Sequence, residues 1–167
     1  MKQFLRSALI LVLAICAGLV LRHWVATPVR IAGISMADTL LSGDIVLVTR
    51  WDSLTGALPE RGSVIECTFP DRDGSYVKRL IGLPGESVEF SDGILIVDGR
   101  PLSEPYTSSR TDNFRAVLDT DEYLVLGDNR AESYDSRASD MGFISSSGFT
   151  GRVRWILWPL NRFGPVE

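Results

Sequence analysis

From residue 26 onward, no stretch of this chain keeps its apolar residues at helical spacing. What recurs instead are short runs rich in Val, Ile, Leu, Phe and Tyr, each closed by Gly, Pro, Asn or Asp. Such runs fall at residues 44–51, 63–69, 75–81, 87–90, 94–97, 122–126 and 152–158. Ser42-Gly43, Gly82-Leu83-Pro84-Gly85, Ser91-Asp92-Gly93 and Asp98-Gly99 supply the turns between them. Short β-branched runs with this punctuation read as strands, and strands without intervening helices predict an all-β domain. The expected fold is mainly β: coiled antiparallel sheets or a partly open barrel. Residues 25–34 read as an extended lead-in, 52–62 as a loop, and 101–113 as a polar, irregular and mobile stretch.

One segment stands apart. Residues 7–21, SALILVLAICAGLVL, carry no charge, with Lys2 and Arg6 before them and Arg22, His23 and Trp24 after. A spanning helix needs about 20 apolar residues. Phe4, Leu5 and the snorkelling arms of Arg6 and Arg22 extend this run toward that length, and Trp24 suits the headgroup belt. A cleavable leader is the rival reading. It lacks a small-x-small site followed by a polar mature start, so a retained anchor is expected. The expected organisation is a cytoplasmic tail at 1–6, a transmembrane anchor at 7–25 and an extracytoplasmic all-β domain at 26–167. The protein would then be single-pass in the cell inner (plasma) membrane.

Composition closes several doors. A net charge of −4 and a pI near 5.1 give no basic footprint for nucleic acid. With one histidine, His23, and no cluster of Cys or His, neither a metal site nor another cofactor is expected. His23 sits at the edge of the apolar run, where interfacial anchoring suits it better than a Ser-His-Asp triad. The cysteines, Cys16 and Cys67, lie in an apolar run and a strand run, so no disulfide framework is expected.

Lysine is scarce: Lys2 and Lys78 are the only two among 17 basic residues. Lys78 lies in the apolar strand run Tyr76-Val77-Lys78-Arg79-Leu80-Ile81, on the same face as Tyr76 and Leu80. On a buried face its charged form is disfavoured, and a neutral amine is a general base in a way arginine cannot be. At a sheet edge it would instead point to water and discourage pairing. Ser35 sits at a strand-to-loop junction in Gly33-Ile34-Ser35-Met36-Ala37-Asp38-Thr39-Leu40, the setting of a held nucleophile or of an ordinary turn serine. Gly127-Asp128-Asn129-Arg130-x-x-Ser133-x-Asp135-Ser136-Arg137 packs polar groups directly after an apolar strand. It reads either as hydroxyls and an ion pair serving a site or as an exposed turn.

Together these pieces resemble the type I signal peptidases, membrane-anchored Ser/Lys proteases of the S26 type, from the anchor through Trp158. Ser35-Met36-x-x-Thr39-Leu40 resembles the nucleophile box, Gly43-Asp44 the strand after it, Tyr76 through Glu86 the general-base box, and Gly127 through Arg137 the last box. The resemblance implies Ser35 as nucleophile and Lys78 as general base, with Ser133 orienting the amine. It implies that Asp135, Arg137 and Asp128 brace the site, Asp128 by way of Arg137. Gly33, Ser35 and Met36 would border the oxyanion and the substrate. The implied substrates are the signal peptides of exported preproteins, with small residues first and third before the cut. The implied partners are the lipid bilayer and the protein export machinery, and Trp155, Trp158 and Phe163 could enter the membrane interface, unless Trp155 is core. Two departures stand out. Asp38 replaces the family's proline, where it could cap the turn or, facing Lys78, raise the amine's pKa. Asp140 replaces a glycine, which predicts a rebuilt loop. Three alternatives remain: a specialised relative maturing one precursor of a conjugation or pilus type, an inactive peptide-binding β module, and a self-cleaving repressor. The last would need a DNA-binding domain where the apolar run stands.

Overall fold

The structure, a computed structural model, describes residues 4, 6–13, 15, 18, 26–50 and 55–166. Residues 6–13 are helical and exposed, and no helix among the described residues is long and apolar enough to cross a membrane. Most of the expected anchor, with Cys16, His23 and Trp24, lies outside the described residues.

Eleven strands follow: β1 (Ala26–Arg30), β2 (Ile45–Thr49), β3 (Val64–Cys67), β4 (Tyr76–Gly82), β5 (Ser87–Ser91), β6 (Ile94–Val97), β7 (Arg100–Leu102), β8 (Phe114–Val117), β9 (Leu124–Leu126), β10 (Phe149–Trp158) and β11 (Gly164–Pro165). Among the described residues they form two antiparallel sheets and no closed barrel. The larger runs β1-β2-β10-β3-β4-β9, with β11 on β10; the smaller runs β7-β6-β5-β8. β10 pairs with β3 through its first half and with β2 through its second, with register shifts along both. Bulges of this kind add local twist and let one long strand serve two neighbours in a coiled sheet.

Three elements depart from expectation. Within the lead-in, residues 26–30 form β1, an edge strand; Pro28 is tolerated there because an edge strand need not donate on its open side. β7 and β8 arise within and just after polar sequence, where pairing to the apolar β5–β6 hairpin overrides weak local propensity. The stretch expected to be mobile is tied down: Arg130 reaches Thr111 Oγ1 at 2.8 Å and forms an ion pair with Glu104, and Thr107 Oγ1 donates to the Asp128 carbonyl at 2.6 Å.

Three buried clusters hold the sheets. Ile31, Met36, Leu40, Val46, Val48 and Val64 lie beneath the Ser35 turn. Ile65, Cys67, Leu80, Val125 and Ile144 lie under β3, β4 and β9. Ile81, Val88, Phe90, Leu95 and Leu126 join the two sheets. β4 runs between β3 and β9, and its Leu80 and Ile81 pack into different buried clusters, so both of its faces are covered and Lys78 and Arg79 are buried on opposite sides.

Candidate active site

After β1 the chain turns at Gly33, whose φ of +88° lies in the left-handed region that suits glycine. The turn then closes on itself: Ala37 N donates to Ile34 O at 3.0 Å, and Thr39 N to Met36 O at 2.8 Å. Met36 and Leu40 are buried and plug the turn into the core, so the alternate residue Ser35 is left toward a cleft. Val29, Ile31, Gly33, Ser35 and Met36 line one wall of that cleft; Ser75, Tyr76, Val77 and Lys78 line the other, with Glu66 beside them.

Lys78 is 3% exposed, and its Nζ donates to Ser133 Oγ at 3.0 Å. Burial pulls its pKa below the ordinary lysine range, and the Asp135 carboxylate, the largest opposing charge, only partly offsets this. On the neighbouring strand burial pushes the Cys67 thiol up to about 12, so it stays protonated. Ser133 is placed by its loop: Arg137 Nη2 donates to Ser133 O at 3.2 Å and Arg130 O at 2.9 Å, and Arg137 Nε to Asp135 Oδ1 at 2.8 Å. Asp135 Oδ2 in turn accepts the Gly127 amide at 2.9 Å. Burial raises the Asp135 carboxyl's pKa, but Arg137, the Ser133 hydroxyl and the Gly127 amide outweigh it and hold the pKa below the ordinary aspartate value.

Gly127 is the contact point of the two halves. A Cβ there would lie 2.2 Å from Ser133 Oγ and 2.3 Å from the Ser35 carbonyl oxygen. Only a hydrogen fits, and that lets the Ser35 turn and the Ser133 loop close on one another. Asn129 locks the junction from the next position but one: its N–H donates to Ser35 O at 3.0 Å and its Nδ2 to Ile34 O at 3.1 Å. The Ser35 and Met36 amides donate to no described residue.

Asp128 is arranged differently from expectation. It pairs with Arg79, not Arg137: Arg79 Nε meets Oδ1 at 2.8 Å and Nη2 meets Oδ2 at 2.7 Å. Both side chains are almost fully buried. Thr39 Oγ1 also donates to this carboxylate, and the Arg79 guanidinium lies 3.9 Å from the centre of the Tyr106 ring. Alternation explains this, because Arg79 faces away from Lys78 on the same strand. Sequence reasoning missed Arg79, Asn129 and Tyr106; Arg79 could have been found as the one charge on the apolar far face of β4.

Asp38 does not approach Lys78 as one of its acting charges. Its carboxylate accepts Ser108 N at 2.8 Å and Ser108 Oγ at 3.1 Å, clipping the 103–113 loop to the Ser35 turn. Asp38→Ala is expected to lower unfolding free energy by roughly 0.5–1 kcal/mol and to speed proteolytic nicking at 103–113. Unchanged urea melts and nicking rates would show that solvent screens the clip. Asp140, the other departure, is exposed and accepts from Arg72 and Tyr134, beside a turn in which Met141 N donates to Ala138 O at 3.0 Å.

Mainly antiparallel sheets thus bring a serine and a buried lysine to one cleft, and comparison with known proteins gives the family: a peptidase. A profile of the family described as "Signal peptidase, peptidase S26" matches residues 3–158. The chain belongs to this family. It is 33% identical to "Signal peptidase I T" of Bacillus subtilis (strain 168) over 163 residues, covering 90% of this chain and 83% of that protein. It is 32% identical to "Signal peptidase IB" of Staphylococcus aureus over 182 residues, covering 97% and 93%. A crystal structure of a signal peptidase I from Enterococcus faecalis V583 aligns with a TM-score of 0.52 at 33% identity, covering 57% of this chain and 96% of that one.

Proposed function

We propose that this chain removes N-terminal signal peptides from exported preproteins as a Ser/Lys endopeptidase of the signal peptidase I type. The observation that carries this reading is the buried Lys78 amine, held by Ser133 in the same cleft as Ser35. Ser35 Oγ attacks the scissile carbonyl; neutral Lys78 takes its proton and delivers it to the leaving amine. A water activated by Lys78 then hydrolyses the acyl-enzyme. The developing oxyanion is met by the Ser35 N–H, with Gly33 allowing close backbone approach.

The cleft walls at 29–32 and 75–78 are extended segments that do not pair with each other. A precursor lying between them adds a strand and turns alternate side chains into the cleft, which selects small residues first and third before the cut. No metal or other cofactor has a role in these steps.

The uncharged run at 7–21 is read as a retained single-pass anchor in the cell inner (plasma) membrane, with the catalytic domain on the extracytoplasmic side. Trp158, Leu160 and Phe163 are 53%, 70% and 57% exposed, and Trp155 is 40% exposed. This apolar group suits insertion at the membrane interface, where a membrane-bound precursor and the export machinery would deliver substrate.

Incubation of the detergent-solubilised full chain with several preproteins, followed by sequencing of the new N-termini, tests this reading. Cleavage after small residues is expected for several of them. Cleavage of one alone would assign the chain to a dedicated precursor, and cleavage of none would leave a peptide-binding module.

A further inference from the structure

The cleft that holds Ser35 and Lys78 has one carboxylate, Glu66, among its described lining residues, which also include the cations Arg30 and Lys78. Val64 and Glu66 share a face of β3 by strand alternation. Val64 packs with Ile31 and Met36 in the core, but two residues along the same row stands a carboxylate. Glu66 is 7% exposed and lies across the register from Val77, itself a cleft residue. Its partners crowd one oxygen: Arg50 Nη2 lies 3.3 Å from Oε2, and Thr150 Oγ1 donates to Oε2 at 3.0 Å. Oε1 accepts from no described residue, and it is not among the sealed-off polar atoms.

Resting on the peptidase reading above, we propose that Glu66 determines specificity, its Oε1 accepting a hydrogen bond from a small precursor side chain in the cleft. A cleft walled by Val29, Ile31, Met36 and Val77 alone would discriminate by size. With a carboxylate oxygen inside it, the cleft also discriminates by chemistry. A substrate hydroxyl meets an acceptor, whereas a methyl of the same shape strips water from that acceptor and leaves it unpaired. The Arg50 ion pair offsets much of the carboxylate's charge, so a neutral donor of small volume fits better than a long cation. The side chain that enters is therefore serine or threonine in preference to alanine or valine, at the first or the third position before the cut.

The test uses one preprotein with Thr, Val, Ser or Ala placed in turn at each of those two positions, cleaved by the detergent-solubilised full chain. Wild type is expected to favour Thr over the isosteric Val by about tenfold in kcat/KM at one position. Glu66→Val should bring that ratio to about one or invert it. Glu66→Gln, which keeps the volume and the Thr150 contact, should fall between. Each ratio is internal to one protein, so a lower overall rate does not disturb it, and if Glu66→Val fails to fold, the wild-type and Glu66→Gln ratios decide. Equal rates for Thr and Val at both positions in wild type, or a preference unchanged in the variants, would overturn the role of Glu66 while leaving the peptidase reading standing. Absence of any Ser35-dependent cleavage would overturn both.

Discussion

Lys78→Ala is expected to lower the rate of preprotein cleavage by about four orders of magnitude, and Ser35→Ala by at least as much. Lys78 is asked to move two protons, one off the nucleophile and one onto the leaving amine. It can do so only as a neutral amine, which burial on β4 favours. Lys78→Arg should not rescue the loss, because a guanidinium stays charged at any working pH. The pH dependence has a definite sign. The folded pKa of Lys78 lies below the ordinary lysine value, so the active base form accumulates as pH rises through that lowered pKa. The log of kcat/KM should therefore climb with unit slope on the acid limb and level off before the ordinary lysine range. Stability moves the same way: between the folded and unfolded pKa values the unfolded chain binds the extra proton, so raising the pH favours the native state. Asp135 acts at the other end of the scale. Its lowered folded pKa contributes stability that is present above the unfolded aspartate pKa and is lost as pH falls through the folded value. A kcat/KM flat from acid to alkaline, or residual Ser35-dependent cleavage by Lys78→Ala, would sink the lysine-base assignment.

Lys78 and the last polar stretch were legible because each is odd in its own local setting, whereas Ser35 alone reads equally well as a turn serine. Lys78 is a lone lysine in an apolar run, and the Gly127–Arg137 stretch is too polar to follow a buried strand without a task. Strand alternation also placed Lys78 and Leu80 together, and both are buried. What one sequence could not show is which charge meets which across the fold. Asp128 and Arg79 are 49 positions apart, and their pairing follows from β4 lying next to β9, a matter of topology. The same limit hid β1. Five residues with a proline carry little strand signal, and only the register of Ala26 to Arg30 against β2 makes them a strand. Asp38 illustrates the converse. Its departure from the family pattern was plain, but its partner Ser108 sits in a loop whose course depends on contacts from Arg130 and Asp128.

Asp128→Ala is expected to destabilise the domain by about 3–5 kcal/mol, because it leaves a buried guanidinium without its carboxylate. Arg79 and Asp128 side chains are 1% and 0% exposed, so water cannot take over the missing contacts without opening the sheet. A loss of that size corresponds to a fall in Tm of roughly 10–20 °C for a domain of this length, readable by thermal unfolding of the detergent-solubilised chain. Replacing both partners with apolar residues of similar volume, Arg79→Met with Asp128→Leu, should recover much of the loss, since the cost lies in the orphaned charge more than in the missing pair. Activity should not recover with stability. The Asp128 carboxylate also receives the Thr39 hydroxyl, a contact that leucine loses, whereas the backbone carbonyl that receives Thr107 is kept. The side chain thus fixes the far end of the Ser35 turn. The double variant is expected to melt near the wild-type temperature yet cleave at least tenfold more slowly in kcat, because a nucleophile held loosely reaches its attack geometry less often. A double variant as active as wild type would reduce the pair to a structural brace. An Asp128→Ala variant within about 1 kcal/mol of wild type would mean that the pair is open to water in solution.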